Sequence, residues 1–353
     1  MLDVLIVFGT RPELNKLLPV YRALRDRGLS VAVAATGQHS DLLDADTLER
    51  LGPVVHLGVS NDGVPMRFTH DAQRAVSAHI GTVAPRCVLV QGDTASAHAG
   101  ALAGHAAGIP VAHVEAGLRS GDLNDPWPEE GIRVAISSLA TWHYAPTTTA
   151  AMRLGYELRT KRNVSVEITG NTSVDALCAL GVKAQPTEAG AAVLITLHRR
   201  ELRQHPDIMA TLQALANAVQ TTPTVRALWP VHPAMMDLVM ATHLPPNFST
   251  CMPLPHSIMA QTLAGCRGLL TDSGGLVEEA ATLGVPTAVL RHVTDRPEAE
   301  EAGIATRLPP TPKGVASAWQ ILANCDIARI PTDVYGDGNA GLYIARHLAK
   351  VLA

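Results

Sequence analysis

The chain has 353 residues and a formal net charge of −4, and 47% of its residues are hydrophobic, which favours two domains with ample core. It has no basic stripe and only 3% aromatic residues, so we expect no nucleic-acid partner. No apolar run reaches the length of a membrane span, and the five cysteines form no CxxC pair, which is typical of a cytoplasmic enzyme with reduced thiols.

In the first half of the chain, short apolar runs alternate with longer amphipathic stretches. The runs that predict buried strands cover residues 4–8, 30–36, 87–91, 109–115 and 163–170. A helix-like stretch follows the first run and ends at Gly28, which suits a helix C-terminus. This βαβα rhythm predicts a parallel sheet with helices on both faces.

A second series of apolar runs begins near residue 191. Its predicted strands cover residues 191–197, 225–231, 268–272 and 286–290, again with helical stretches between them. The polar segment at 181–190 could mark a boundary between the two series. The run at 163–170 is interpreted as the last strand of the first half or as a segment that crosses between the halves, so we predict the domain boundary near residue 168. The sequence therefore predicts two similar α/β domains.

Polar residues follow nearly every predicted strand, where parallel α/β sheets bind their ligands. The turn "TDSGG" (271–275) joins a strand to a helix, and its small residues would let backbone N–H groups and the helix dipole meet a diphosphate. An ordinary strand-to-helix turn is an equally good interpretation. Glu278 and Glu279 are expected in the first turn of that helix, where acids are stabilising in any case or could hold ribose hydroxyls.

Three cations could neutralise a phosphate, although each of them taken alone is typical of a surface charge. They are Arg11, Lys16 and Arg296.

Five carboxylates lie between residues 115 and 130, in a chain of which only 17% is charged. Asp93 follows one predicted strand and Glu115 the next, so both are expected at the same sheet edge. Pro128 suits the first position of a helix, with Glu129 and Glu130 in its first turn. A "PEE" segment alone would favour simple helix-dipole complementarity, but three converging carboxylates raise one another's pKa. Such a set can hold a protonated acid beside an ionised base.

Two other patterns are rejected as sites. The "GDGNAG" segment (336–341) fits a dinucleotide fingerprint, but no predicted strand precedes it. The fifteen histidines contain no HExxH pair, and His98, His105 and His113 are interpreted as packing residues. We expect neither a metal nor another cofactor.

Taken together, the motifs resemble the non-hydrolysing UDP-N-acetylglucosamine 2-epimerases. The segments that carry the resemblance occur in order between residue 9 and about residue 340; they are "GTRPE", "TGQH", "QGDT", "HVEAGLRSGDL", "PWPEE", "GNT", "HRRE", "TDSGG", "DRPEA" and "YGDG". The resemblance implies a glycosyltransferase-B fold of two Rossmann-like, doubly wound domains with a cleft between them. The domains would cover residues 1–168 and, for UDP binding, 169–339, and a C-terminal helix at about 340–353 would pack on the first.

The resemblance also implies a reaction. UDP is eliminated after removal of the proton at C2, which forms 2-acetamidoglucal, and UDP then re-adds with a proton delivered to the opposite face. The family's catalytic residues correspond to Asp93, Glu115, Glu129 and His198, and its UDP-sugar contacts to Arg11, Lys16, Ser273, Gly274, Gly275, Glu279 and Arg296. The expected partners are a UDP-sugar and a second copy of the chain.

Several residues depart from the family pattern. Ile132 and Leu202 stand where asparagine is usual, and Met259 where an aromatic residue often contacts uracil. Many members bind a second UDP-GlcNAc as an activator; Gln38 and His232 match parts of that site, but Asp41 stands where a second glutamine is frequent. We therefore expect activity without an activator.

Three alternatives stand beside this interpretation. Hydrolysing epimerases, which release ManNAc and UDP, usually show "GDR" where this chain has "QGDT". Glycosyltransferases of the same fold usually lack the acidic 113–130 loop. A catalytically silent nucleotide-sugar sensor is conceivable because both asparagines are missing, yet the three carboxylates and His198 are present.

Overall fold

The computed structural model describes residues 2–38, 51–187, 190–325 and 329–353. The chain divides into two units. Unit 1 comprises Met1–Ala176 with Gly336–Ala353, and unit 2 comprises Leu177–Tyr335. None of the helices in the described ranges has the length and the mean hydropathy of a membrane span.

Unit 1 is built on a seven-stranded parallel sheet with strand order β3-β2-β1-β4-β5-β6-β7. Its strands are β1 Val4–Phe8, β2 Val31–Ala35, β3 Val54–His56, β4 Cys87–Gln91, β5 Val111–Val114, β6 Trp142–Ala145 and β7 Ser165–Ile168. Alternate residues of β1 enter different cores: Ile6 lies in one apolar cluster and Leu5 in another. Because successive side chains of a strand point to opposite faces, both faces of the sheet are covered.

The helices of unit 1 flank this sheet. They are α1 Arg11–Asp26, α2 Pro65–Val83, α3 Ala95–Ala106, α4 Glu129–Leu139, α5 Thr148–Glu157, α6 Thr172–Ala179, which extends past the division at Ala176, and the C-terminal helix, α14 Ala340–Val351.

The C-terminal helix α14 packs closely on α1. Ile344 and Leu348 share an apolar cluster with Leu17 of α1. A Cβ at Gly341 would lie 2.9 Å from the backbone of Pro19, so only glycine permits this approach. The chain therefore returns to unit 1 through the "GDGNAG" segment, which serves as a packing junction.

Unit 2 is built on a six-stranded parallel sheet with strand order β10-β9-β8-β11-β12-β13. Its strands are β8 Val193–Thr196, β9 Ala227–Pro230, β10 Phe248–Cys251, β11 Gly268–Thr271, β12 Thr287–Leu290 and β13 Ala305–Leu308. Its helices are α7 Arg200–Arg203, α8 Ile208–Gln220, α9 Met236–Met240, α10 His256–Gly265, α11 Gly274–Leu283, α12 Glu298–Glu301 and α13 Pro312–Asn324, with a 3₁₀ turn at Pro233–Met235. The predicted fold class, two Rossmann-like parallel α/β domains, is confirmed.

Both sheets reverse their strand order at one point, between β1 and β4 in unit 1 and between β8 and β11 in unit 2. Loops leave to opposite sides there, so the carboxyl ends of the two strands open a crevice for ligands. The residues that follow these four strands therefore define where each unit can act.

Candidate active site

The carboxylate of Glu115 is anchored at the sheet edge of unit 1. Its Oε2 accepts hydrogen bonds from Lys16 Nζ at 2.5 Å and from Gln91 Nε2 at 2.7 Å. The backbone of Glu115 has φ +64°, a left-handed conformation that costs free energy for a residue other than glycine. The structure therefore places Lys16, which the sequence suggested for a phosphate, beside a predicted catalytic carboxylate.

Asp93 is held by an arginine that the sequence did not single out. Arg133 of α4 donates from Nε at 2.8 Å to Asp93 Oδ2, and its Nη2 lies 2.5 Å from the same oxygen. Glu129 precedes Arg133 by four residues on α4, so both lie on one helix face. Gln91, which donates to Glu115, lies two residues before Asp93, so Asp93 and Glu115 lie at the same edge of unit 1. Glu129 lies one helical turn from the arginine that holds Asp93.

Glu130 fixes the acidic loop to α4. Its carboxylate accepts the backbone N–H groups of Ser120 at 3.0 Å and Gly121 at 3.1 Å, and it lies 3.2 Å from Arg133 Nη1. Pro128 is the residue before the helix rather than its first position, so that prediction was wrong by one residue. Of the two adjacent glutamates, Glu130 therefore has a structural role, because it binds the loop at residues 120–121 to α4.

Glu13 links the two loops that flank the reversal point of unit 1. Its Oε2 accepts the N–H groups of Gly9 at 3.1 Å and Thr10 at 2.8 Å, and its Oε1 accepts the Thr94 hydroxyl at 2.7 Å. Arg11, the half-buried first residue of α1, and Asp93 lie directly beside these loops. Burial raises the pKa of Glu13 to about 7, against the hydrogen bonds, which lower it.

Glu13 is expected to make folding stability pH-dependent. Its folded-state pKa of about 7 exceeds the ordinary 4.5. Its contribution to the free energy of unfolding is therefore complete below pH 4.5 and is lost as the pH rises through 7. Urea unfolding of the wild type and Glu13→Gln at about pH 5 and about pH 8 should show the wild type losing ~2–3 kcal/mol more over this interval. Parallel losses would contradict the assignment; Glu301→Gln, at an exposed glutamate, is the control.

In unit 2, Asp272 organises the residues that follow β8 and β11. Its Oδ2 accepts the backbone N–H groups of His198 and Arg199, both at 2.8 Å, and its Oδ1 lies 3.3 Å from His198 Nδ1. The His198 ring stacks on His232, with 5.6 Å between centroids. The half-exposed His198 is thus oriented by a buried carboxylate, a partner that the sequence did not suggest.

The "TDSGG" turn leads directly into α11. Ser273 is the residue before the helix, and its side chain makes no capping hydrogen bond. A Cβ on Gly274 would lie 2.4 Å from Arg296 Nη1, so glycine is needed for the arginine to approach. Because α11 begins at Gly274, Glu278 and Glu279 lie beyond its first turn, and the prediction of their position was wrong.

Arg296 is buried in an ionic network and is therefore no isolated surface charge. Its Nε lies 2.5 Å from Glu278 Oε1, and its Nη1 lies 2.5 Å from Asp295 Oδ2. Arg291 donates to the other oxygen of Asp295 at 2.7 Å. Burial lowers the pKa of Arg291, which Asp295 partly offsets. The network holds a guanidinium directly beside the glycine turn.

Three residues that depart from the family pattern, Ile132, Leu202 and Met259, lie in or against apolar clusters. Ile132 and Leu202 are buried in apolar clusters, and Met259 packs partly buried against a third. Gln38 Oε1 accepts from Ser96 N at 3.1 Å and Ser96 Oγ at 2.7 Å, while Asp41 lies outside the described residues. Among the residues that the structure covers, no group of three or more potential ligands could hold a metal ion.

The model of the UDP-N-acetylglucosamine 2-epimerase protein family matches residues 22–349. The chain belongs to this family. It is 34% identical over 327 residues to the UDP-N-acetylglucosamine 2-epimerase of Salmonella typhimurium, which covers 86% of this chain and 85% of the relative.

Two solved structures at 30% identity or more are similar to this chain over nearly its whole length. The UDP co-structure of S. aureus MnaA has a TM-score of 0.90 at 31% identity, covering 100% of this chain and 97% of that one. The Neisseria meningitidis UDP-GlcNAc 2-epimerase, bound to UDP-GlcNAc, has a TM-score of 0.89 at 30% identity, covering 99% and 100%. The architecture of both units is therefore that of the 2-epimerase family.

Proposed function

We propose that this enzyme interconverts UDP-N-acetylglucosamine and UDP-N-acetylmannosamine without hydrolysis. A carboxylate takes the C2 proton, and the electron pair of the broken C2–H bond forms the C1=C2 bond of 2-acetamidoglucal. The C1–O bond breaks, and its electron pair leaves with UDP. UDP then adds back at C1 as a proton reaches the other face of C2. In this elimination–addition route hydrogen leaves and returns as a proton and no hydride is transferred, so the route uses no redox cofactor.

One observation carries this proposal: Lys16 holds Glu115 and Arg133 holds Asp93 in unit 1. Glu129 lies one helical turn before Arg133. Proton removal and return on opposite faces of a carbon require more than one acid–base group. The relatives that bind UDP or UDP-GlcNAc support the choice of a UDP-sugar.

Product analysis separates this function from its alternatives. The enzyme would be incubated with UDP-GlcNAc and the products resolved by NMR. We expect UDP-ManNAc in equilibrium with the substrate. Free ManNAc with UDP would indicate a hydrolysing epimerase, and unchanged substrate a silent sensor; either result would overturn the proposal.

Ser273→Ala is expected to weaken UDP binding and to leave the fold intact. The Ser273 hydroxyl makes no capping bond to α11, so it is available to a phosphate. Losing one hydrogen bond to a charged group should weaken UDP binding by ~10-fold and raise KM more than it lowers kcat. Calorimetry with UDP measures this, and Ser249→Ala, at an exposed strand residue of unit 2, is the control. Unchanged affinity would remove Ser273 from the phosphate site.

The reverse reaction is expected to start without an activator. Asp41 supplies an acceptor where the family resemblance implies an amide donor, and a carboxylate repels a diphosphate. Gln38 already binds Ser96 through Oε1. Progress curves with purified UDP-ManNAc should therefore be linear from the outset. A lag that traces of UDP-GlcNAc abolish would show that the activator site has survived.

The proposal includes a homodimer located in the cytoplasm. The family resemblance supports the dimer, and the five widely spaced cysteines, which form no CxxC pair, support a reducing compartment. Sedimentation equilibrium would test the dimer, and fractionation of the source cells would test the location.

A further inference from the structure

Glu279 is paired with a histidine that no family motif singles out. His256, the first residue of α10, lies with Nε2 at 2.9 Å from Glu279 Oε1. Both residues belong to unit 2. Met259 follows His256 by three residues, so the two share one face of α10.

The other oxygen of Glu279 is buried and makes no hydrogen bond within the part of the chain that the structure describes. The residue is only 7% exposed. Leaving a buried carboxylate oxygen unsatisfied costs free energy. This oxygen is therefore set to accept a hydrogen bond from a ligand.

One face of α11 packs against Arg296, and the neighbouring face carries Glu279. Gly274 and Glu278 are four residues apart, and both meet Arg296. Gly275 and Glu279 are also four residues apart, so they share the neighbouring face. A Cβ on Gly275 would meet no other described atom within 4 Å. A ligand whose phosphate meets the helix N-terminus can thus extend along this face to Glu279, one turn away.

We propose that His256 is a positioning residue, which orients Glu279 to accept a ribose hydroxyl and so selects ribonucleoside over deoxyribonucleoside diphosphates. The imidazole N–H occupies Oε1 and leaves Oε2 for the hydroxyl. A carboxylate fixed in this way loses little freedom when the ligand binds. The inference rests on the proposed function, because it takes a UDP-sugar as the ligand.

Calorimetry with UDP, 2′-deoxy-UDP and 3′-deoxy-UDP tests this role. The wild type should bind UDP about 10-fold more tightly than at least one deoxy ligand, since a site built for a hydroxyl discriminates against its loss. In His256→Ala this ratio of affinities should fall below ~3-fold. Without the histidine the Glu279 carboxylate is not fixed, so it loses more freedom when it binds the hydroxyl and the hydroxyl adds less to the affinity. His256→Gln, which places an amide donor near the Nε2 position, should restore most of the ratio. A purely structural role would weaken all three ligands equally.

Each outcome decides the matter. If the wild type binds UDP without discrimination, or His256→Ala keeps the wild-type ratio, the inference is overturned. If the wild type does not bind UDP at all, the proposed function fails first. His256→Leu gives a second measurement should the alanine variant not fold. His243→Ala, at an exposed histidine of unit 2, should match the wild type.

Discussion

Asp93→Asn, Glu115→Gln and Glu129→Gln are each expected to lower turnover by at least ~10²-fold, the effect of removing a positioned acid or base. Each change keeps the shape of the side chain but removes its ability to exchange a proton. The hydrogen bonds from Lys16 and Gln91 to Glu115 show that this carboxylate is held in place. Turnover of UDP-GlcNAc under saturating substrate measures the effect.

Calorimetry should find UDP affinity nearly unchanged in these three variants, because they remove no proposed contact to the diphosphate. Asp122→Asn is the matched control, since Asp122 is an exposed acid of the same loop. Near-normal turnover in any of the three would remove that residue from the mechanism.

Arg296→Ala is expected to destabilise unit 2 by ~3–5 kcal/mol, the usual cost of removing one partner from a buried ion pair. Glu278 and Asp295 both lose their bond to the guanidinium. If Arg296 only contacted a phosphate, its replacement would weaken UDP binding and leave the stability of unit 2 unchanged. Because Arg296 is buried in an ionic network, its replacement should also lower the free energy of unfolding. Urea unfolding monitored by circular dichroism measures it.

Arg307→Ala is the control for this substitution. Arg307 pairs with Glu300 at 3.0 Å, but both side chains are partly exposed, so its loss should cost under ~1 kcal/mol. Equal stability losses in the two variants would show that the buried network contributes nothing specific. UDP affinity of Arg296→Ala should also fall, and it is to be measured where the variant remains folded.

Hydrophobic periodicity predicted the central strands well, because these are buried on both faces. The predicted strand at 87–91 coincides with β4, and the strand predicted at 4–8 with β1. Sequence reasoning missed the short edge strands β3, β10 and β13 and the inner strand β6. In β6, "WHYA" mixes polar and aromatic residues, so it lacks the continuous apolar run of a buried strand.

The domain boundary shows what local patterns leave out. The sequence suggested residue 168, where β7 ends, whereas unit 1 continues to Ala176. Asp175 explains the difference, because its carboxylate accepts the N–H groups of Ala340 at 3.1 Å and Gly341 at 2.8 Å. This contact joins segments far apart in the chain, which no local pattern reports.

The same limit applies to the site. Strand-end positions indicated Asp93 and Glu115, since the carboxyl ends of parallel strands meet at one edge. Their partners could not be inferred from spacing: Arg133 reaches Asp93 from a helix 40 residues away in the chain. His256 likewise meets Glu279 only through the packing of α10 and α11.

The most direct test of the account is exchange of the C2 proton with solvent. Unlabelled UDP-GlcNAc, which carries protium at C2, would be incubated with the wild-type enzyme in deuterated water. The UDP-ManNAc formed would be analysed by NMR. We predict deuterium at C2 of the product, because the group that protonates the opposite face is a different acid from the carboxylate that took the proton, and in deuterated water it carries a solvent deuteron. UDP-ManNAc that fully retains protium at C2, in the same time over which epimerisation reaches equilibrium, would contradict the proposed proton transfer by this carboxylate set.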